Sequence, residues 1–195
     1  RLGVFPRAQW NKGQEATKRS MASIKEAMFF PWLGGHPDTG SEFMNTLVIT
    51  WCGEHGIDLS RSRPNHKNDN MYVEERNGHV IRKMVGYVTL NCPEAVDALN
   101  AVYEILTPYL FHFIAIKRMI KKERVGSKYR RVYEKTAATP YQRTLKHTGI
   151  SAEIKEKLRQ AHATLNPRTL HDDIDLRLMK LYAVQQRFGN PRNPA

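Results

Sequence analysis

The sequence predicts a mixed α/β fold followed by a mainly α-helical, basic extension. Three observations lead there. Between residues 14 and 86, apolar residues recur alternately at the helical interval of three to four and the strand interval of two. From Pro93 onward the repeats are long and helical only. Lys and Arg outnumber Asp and Glu by 31 to 19, a formal net charge of +12, and eight of those cations fall between Lys117 and Arg131.

That charge favours a polyanionic partner, most often nucleic acid, although an RNA-binding or membrane-surface protein would carry the same surplus. With 195 residues, 41% of them hydrophobic, the chain can bury a core, as one domain with an extension or as two small ones. Cys52 and Cys92 are far apart and lack metal-ligand spacing, which predicts free thiols in a reducing compartment. The most apolar window, Leu99 to Ile116, is interrupted by Asn100, Glu104, Pro108 and His112 and fails as a membrane span. No signal-peptide pattern is present.

The first helix is read over Gln14 to Met28, where Ala16, Met21, Ile24 and Met28 share a face and Pro31 stops the run. The short apolar stretch Phe29 to Gly35 suits a buried strand, with Asp38 at its exit. Ser41 to His55 is a second helix, on Phe43, Leu47 and Trp51, with Ser41 as cap and Gly56 as terminator. Ile57 and Leu59 then alternate with Asp58 and Ser60 as a half-buried strand, which Pro64 ends. Residues 61–70 form a polar loop holding Arg61, Arg63, His66 and Lys67, cations that either hold phosphates or face solvent.

A third helix, from about Asn70 to Gly86, carries one apolar stripe of Val73, Val80, Ile81, Met84 and Val85. Glu74 lies inside that stripe, whereas Glu75 points to the side of Arg76, His79, Arg82 and Lys83. A carboxylate aimed at a core needs a partner, because an unpaired buried charge is strongly disfavoured. A divalent cation shared with Asp38 would supply one; so would Arg61 or Arg63, or water at the stripe edge. For Asp38, the sequence PDTG also reads as an ordinary Asx-turn.

Beyond Gly86 a long amphipathic helix runs from Pro93 to about Lys117, with Val96, Leu99, Tyr103, Leu106, Leu110 and Phe113 inward and a kink expected at Pro108. The following cations, with Tyr129 and Tyr133 among them, either track a DNA backbone or form a solvated face. Gly126 and residues 136–140 read as a flexible link. Ser151 caps a helix to about Ala163, and Asn166 with Pro167 opens another to about Phe188. This expected helical hairpin could pack on the core, dimerise or dock DNA ends.

The segments DTGSEFMN, RSRPNHKNDN and VEERNGHVIRKMVGY resemble the second and third motifs of the integrase catalytic core of bacterial insertion-sequence transposases, a retroviral-integrase-like, ribonuclease H-like family. NKGQEA, RVGSKYRRVY and TPYQRTL resemble the same group, so the likeness covers most of the chain. The resemblance implies that Asp38 and Glu74, with thirty-five residues between them, are the last two members of an Asp-Asp-Glu metal triad. Thr39 stands where the family usually has Asn, and no Asp precedes Asp38. The family's first catalytic Asp is therefore expected upstream of Arg1, on a strand that an N-terminally truncated chain would lack.

By that resemblance the fold is a partial ribonuclease H-like integrase core over 1–116, a basic linker over 117–140 and an α-helical extension over 141–195. The implied function is DNA transposition and integration in the bacterial cytoplasm, at the nucleoid, by a homo-oligomer on double-stranded DNA. Asp38 and Glu74 would be both catalytic residues and ligands of two Mg²⁺ or Mn²⁺ ions roughly 3.5–4 Å apart, which would activate a water or a DNA 3′-hydroxyl for in-line attack on a phosphodiester. Arg61, Arg63, His66, Lys67, Lys121, Lys122, Arg124, Lys128, Arg130 and Arg131 would contact DNA. Two rivals remain: another nuclease of the superfamily, and an inactive remnant that only binds DNA.

Overall fold

The computed structural model describes residues 3–37, 40–60, 81–86 and 89–189. They form a mixed α/β structure with two two-stranded sheets and are dominated by helix. The chain divides into two compact units that do not follow the boundaries read from the sequence. One is made of Arg1–Phe5 and Tyr103–Asp175, the other of Pro6–Val102 and Leu176–Ala195.

In the second of these units, helix α1 (Gln14–Ala27) buries Thr17 and Met21. Strand β1 is only Gly34–Gly35. The expected buried strand across Phe29 to Gly35 is otherwise irregular, and Leu33 is 74% exposed. Helix α2 (Thr46–Glu54) starts later than Ser41, because Asn45 is the cap. Its Oδ1 accepts from Val48 N at 3.0 Å while its Nδ2 donates to the Ser41 and Glu42 carbonyls, which holds residues 41–45 in a turn ahead of the helix.

Strand β2 (Asp58–Leu59) pairs in parallel with β1, Gly34 opposite Asp58 and Gly35 opposite Leu59. A Cβ on Gly34 would lie 3.2 Å from the Asp58 carbonyl oxygen, so the close approach suits glycine. Met21, Val48, Trp51, Cys52 and Ile57 form the core beneath this β–α–β unit, with Trp32, Phe43 and Leu59 at its margin. Burial pushes the Cys52 thiol pKa up, as expected for an unreactive core cysteine.

Of the expected Glu74 helix only 81–86 is described: a short turn, α3 (Lys83–Val85), with Val85 buried, ending at Gly86 with φ 87°. Helix α4 (Glu94–Phe113) contains Pro108 and ends before Lys117. In this unit it buries Ala95, Asn100 and Val102, while Val96 and Leu99, read as inward, are half-buried. Asn100 is buried because it closes a two-way bond with the Ala8 backbone, accepting from N at 2.9 Å and donating to O at 3.1 Å.

The C-terminal part of helix α7 (Pro167–Phe188) belongs here rather than to a separate extension. Arg177 Nη1 donates to the Ala101 carbonyl at 2.8 Å, Tyr182 Oη to the Val85 carbonyl, and Gln185 exchanges bonds with Asn91.

The other unit holds the C-terminal half of α4, strands β3 (Met119–Val125) and β4 (Lys128–Tyr133), helix α5 (Pro140–Lys146), helix α6 (Ala152–Thr164) and the start of α7. Tyr103, Leu106, Phe111, His112, Thr144, Leu158, Leu170 and Ile174 are buried in it. Ser151 caps α6 as expected, accepting from Ile154 N. Helix α5 occupies residues adjoining the stretch read as a flexible link. Thr139 and Gln142 make a reciprocal capping box around Pro140, which organises the start of the helix.

Candidate nucleic-acid interface

The basic run from Lys117 to Arg131 is a β-hairpin, not a flexible link. Gly126 and Ser127 form its two-residue loop, and Gly126 takes φ 62°, a left-handed conformation that glycine adopts without strain. The antiparallel register sets Lys122 opposite Arg131, Arg124 opposite Tyr129, Glu123 opposite Arg130 and Val125 opposite Lys128. A bulge at Ile120 displaces the register before Met119 meets Tyr133.

All six cations expected to bind DNA from this region, Lys121, Lys122, Arg124, Lys128, Arg130 and Arg131, lie exposed on the ribbon. Their only acid within the two strands is Glu123, tied to Lys121 at 2.8 Å. Neighbouring strands lie about 4.8 Å apart, well inside the roughly 8 Å screening length at physiological salt, so Lys122 and Arg131 repel across the ladder. Lys122 Nζ sits 4.5 Å from the centre of the Tyr129 ring, a cation–π contact that partly offsets the repulsion. Such a ribbon gains most from a partner that brings negative charge.

A hairpin exposed on both sides is weak alone, and its base is fixed by an ionic clasp. Glu134, directly after β4, accepts from Arg118 Nε at 2.9 Å and Arg118 N at 3.1 Å, and from Arg143 Nη1 at 2.9 Å and Nη2 at 2.6 Å. Arg143, on α5, also donates to the Ile116 carbonyl at 2.7 Å. These two guanidinium groups hold the Glu134 carboxyl well below the usual carboxylate range, Arg143 contributing most. An Ile116–Ala138 bridge closes the ladder on the same side. Arg118 is thereby a structural cation rather than a free one.

Asp38, Glu74, Arg61, Arg63, His66 and Lys67 lie outside the described residues. The flanks of these segments are described: Pro37 and Ser60 lie just beyond the C-terminal ends of β1 and β2, and a His36 Nδ1–Ser60 Oγ hydrogen bond of 2.9 Å joins those ends. In parallel sheets this is the end at which ligand sites form. Among the described residues no group of three or more His, Cys, Asp and Glu could hold a metal ion.

Two further features went unread in the sequence. His112, buried on α4, shares a 3.1 Å Nδ1–Nδ1 hydrogen bond with His162 of α6, and Tyr141 stacks on His162 with ring centres 4.3 Å apart. Burial, then the neighbouring His162, lowers the His112 pKa to about 4. A cleft of about 500 Å³ lies between Tyr109 and the first turns of α7, where Arg168 pairs with Asp172 and His171 with Asp175.

Among the described residues no helix is long and apolar enough to cross a membrane. No family model matches the chain. A stretch of 99 residues, 51% of the chain, is 37% identical to "Uncharacterized protein y4rM" of Sinorhizobium fredii. The match spans 28% of that relative's length.

Proposed function

We propose that this chain acts in DNA transposition and integration, as part of a ribonuclease H-like integrase core with a DNA-binding ribbon attached. The observation that carries the DNA-binding part is the β3–β4 hairpin, with six exposed cations and a single acid, clasped at its base by Glu134. The catalytic part rests on the DTGSEF and VEERN motifs, whose Asp38 and Glu74 offer hard oxygen donors suited to Mg²⁺ or Mn²⁺. When bound, such ions stabilise charge on the attacking and leaving oxygens of a phosphodiester. Arg61, Arg63, His66 and Lys67 would hold phosphates beside the carboxylates, and the hairpin would hold the duplex through backbone contacts. The protein would work as a homo-oligomer on double-stranded DNA, in the bacterial cytoplasm at the nucleoid.

The second reading is a protein that binds DNA without cutting it, a role for which the exposed basic ribbon alone would suffice. Strand transfer separates the two. With Mg²⁺ and donor and target duplexes, and in a version of the protein that carries the family's first catalytic Asp, the transposase reading expects joined products that Asp38→Asn and Glu74→Gln each abolish while duplex binding persists. Joined products that survive both substitutions would remove the metal assignment; binding without any product would leave the second reading.

A further inference from the structure

The alternation of the β3–β4 ladder sorts its side chains onto two unlike faces. Lys122, Arg124, Tyr129 and Arg131 share one face, and all four are exposed. Lys121, Glu123, Val125, Lys128, Arg130 and Val132 share the other. Glu123 and Val132, the two ladder positions that are not fully exposed, both lie on that second face. The second face thus holds the two positions short of full exposure, the acid and the aliphatic residues, beside three exposed cations of its own, Lys121, Lys128 and Arg130. The first is open along its whole length and carries three cations, an aromatic ring and no acid.

Resting on the DNA-binding reading above, we infer that the ribbon seats this first face in the major groove of duplex DNA. A two-stranded ribbon fits the major groove, about 12 Å wide, whereas the minor groove, about 6 Å wide, is too narrow for it. Arg124, whose Nε donates to the Gly126 carbonyl at 3.2 Å, and Arg131 present planar guanidinium groups, the chemistry that pairs bidentately with the guanine edge, and Lys122 adds a point charge beside Tyr129. The clasp at Glu134 keeps the entry angle fixed, because Arg143, only 9% exposed, locks the end of β4 to α5. A-form RNA has a major groove too deep and narrow to admit the ribbon, so this seating requires B-form DNA.

The test compares two variants of the full chain that lose equal charge: Lys122→Ala with Arg131→Ala from the first face, and Lys128→Ala with Arg130→Ala from the second. Affinity is read by fluorescence anisotropy on a mixed-sequence DNA duplex and on an RNA duplex of the same length, with circular dichroism as the check on folding. The first-face pair is expected to weaken DNA binding by about tenfold or more and the second-face pair by less than about threefold, with DNA bound more tightly than RNA. Arg124→Lys, which keeps the charge but not the planar fork, should flatten the preference among duplexes of different sequence. Equal losses from the two faces, or equal affinity for DNA and RNA duplexes, would overturn groove insertion in favour of simple phosphate attraction. No loss from either pair, while duplex is still bound, would overturn the ribbon as the interface and leave DNA binding to other residues. An unaltered chain that binds no duplex would instead overturn the underlying reading.

Discussion

His112 shows how one buried titratable side chain sets a pH dependence. In the folded chain its pKa falls to about 4, from an ordinary value of 6.5, because burial and His162 disfavour the cation. Between those two values the unfolded chain binds the proton and the folded chain does not, so stability falls as pH drops from about 6.5 to 4. Glu134 acts lower: its depressed pKa contributes stability above the ordinary carboxylate value, and this is lost as pH falls below about 4.5. His112→Phe is therefore expected to flatten the decline in unfolding temperature between pH 6.5 and 4 and to leave the steeper loss below it. A profile unchanged by the substitution would show that His112 does not carry the upper phase. The sequence revealed His112 and Asn100 only as interruptions of an apolar helix. Their partners, His162 and the Ala8 backbone, lie 50 and 92 residues away, and no local pattern names a contact at that distance.

At the scale of elements, caps decided what was readable. Helices α6 and α7 follow the sequence closely because Ser151 and Pro167 are strong local start signals. Helix α5 and the hairpin carry local signals too. Thr139 and Gln142 stand at capping-box spacing, and Gly126-Ser127 is a two-residue turn, but the run of charge on either side of the turn reads as a linker. The helix start at Asn45 rather than Ser41 reflects competition between two good caps, won by the one whose amide can both accept from the helix and hold the preceding turn. Since α5 carries Arg143, its cap also supports the ribbon. Thr139→Ala should destabilise the chain by about 1 kcal/mol and loosen hydrogen-exchange protection in α5 and at the base of β4. Full protection in both would show that the capping box is dispensable.

At the scale of the molecule, chain order and spatial grouping part company. The sequence suggests core, linker and extension in succession, whereas Leu176–Ala195 groups with Pro6–Val102 and the basic hairpin with the second half of α4, with α5 and α6 and with the start of α7. The contacts that make this so are side-chain bonds to distant backbone, such as Tyr182 to Val85 and Gln185 to Asn91, which periodicity does not encode. The net charge of +12 was legible from composition, but its arrangement was not: the opposition of Lys122 and Arg131 depends on strand register. That arrangement is the central claim here, and the salt dependence of duplex-DNA affinity tests it most directly. Each cation that contacts a phosphate adds about 0.9 to the slope of log affinity against log salt, so replacing Lys121, Lys122, Arg130 and Arg131 by Ala should reduce the slope by roughly 2 to 4 and weaken binding across sequences. An unchanged slope in a folded variant would mean that these cations meet only water, and would contradict the account.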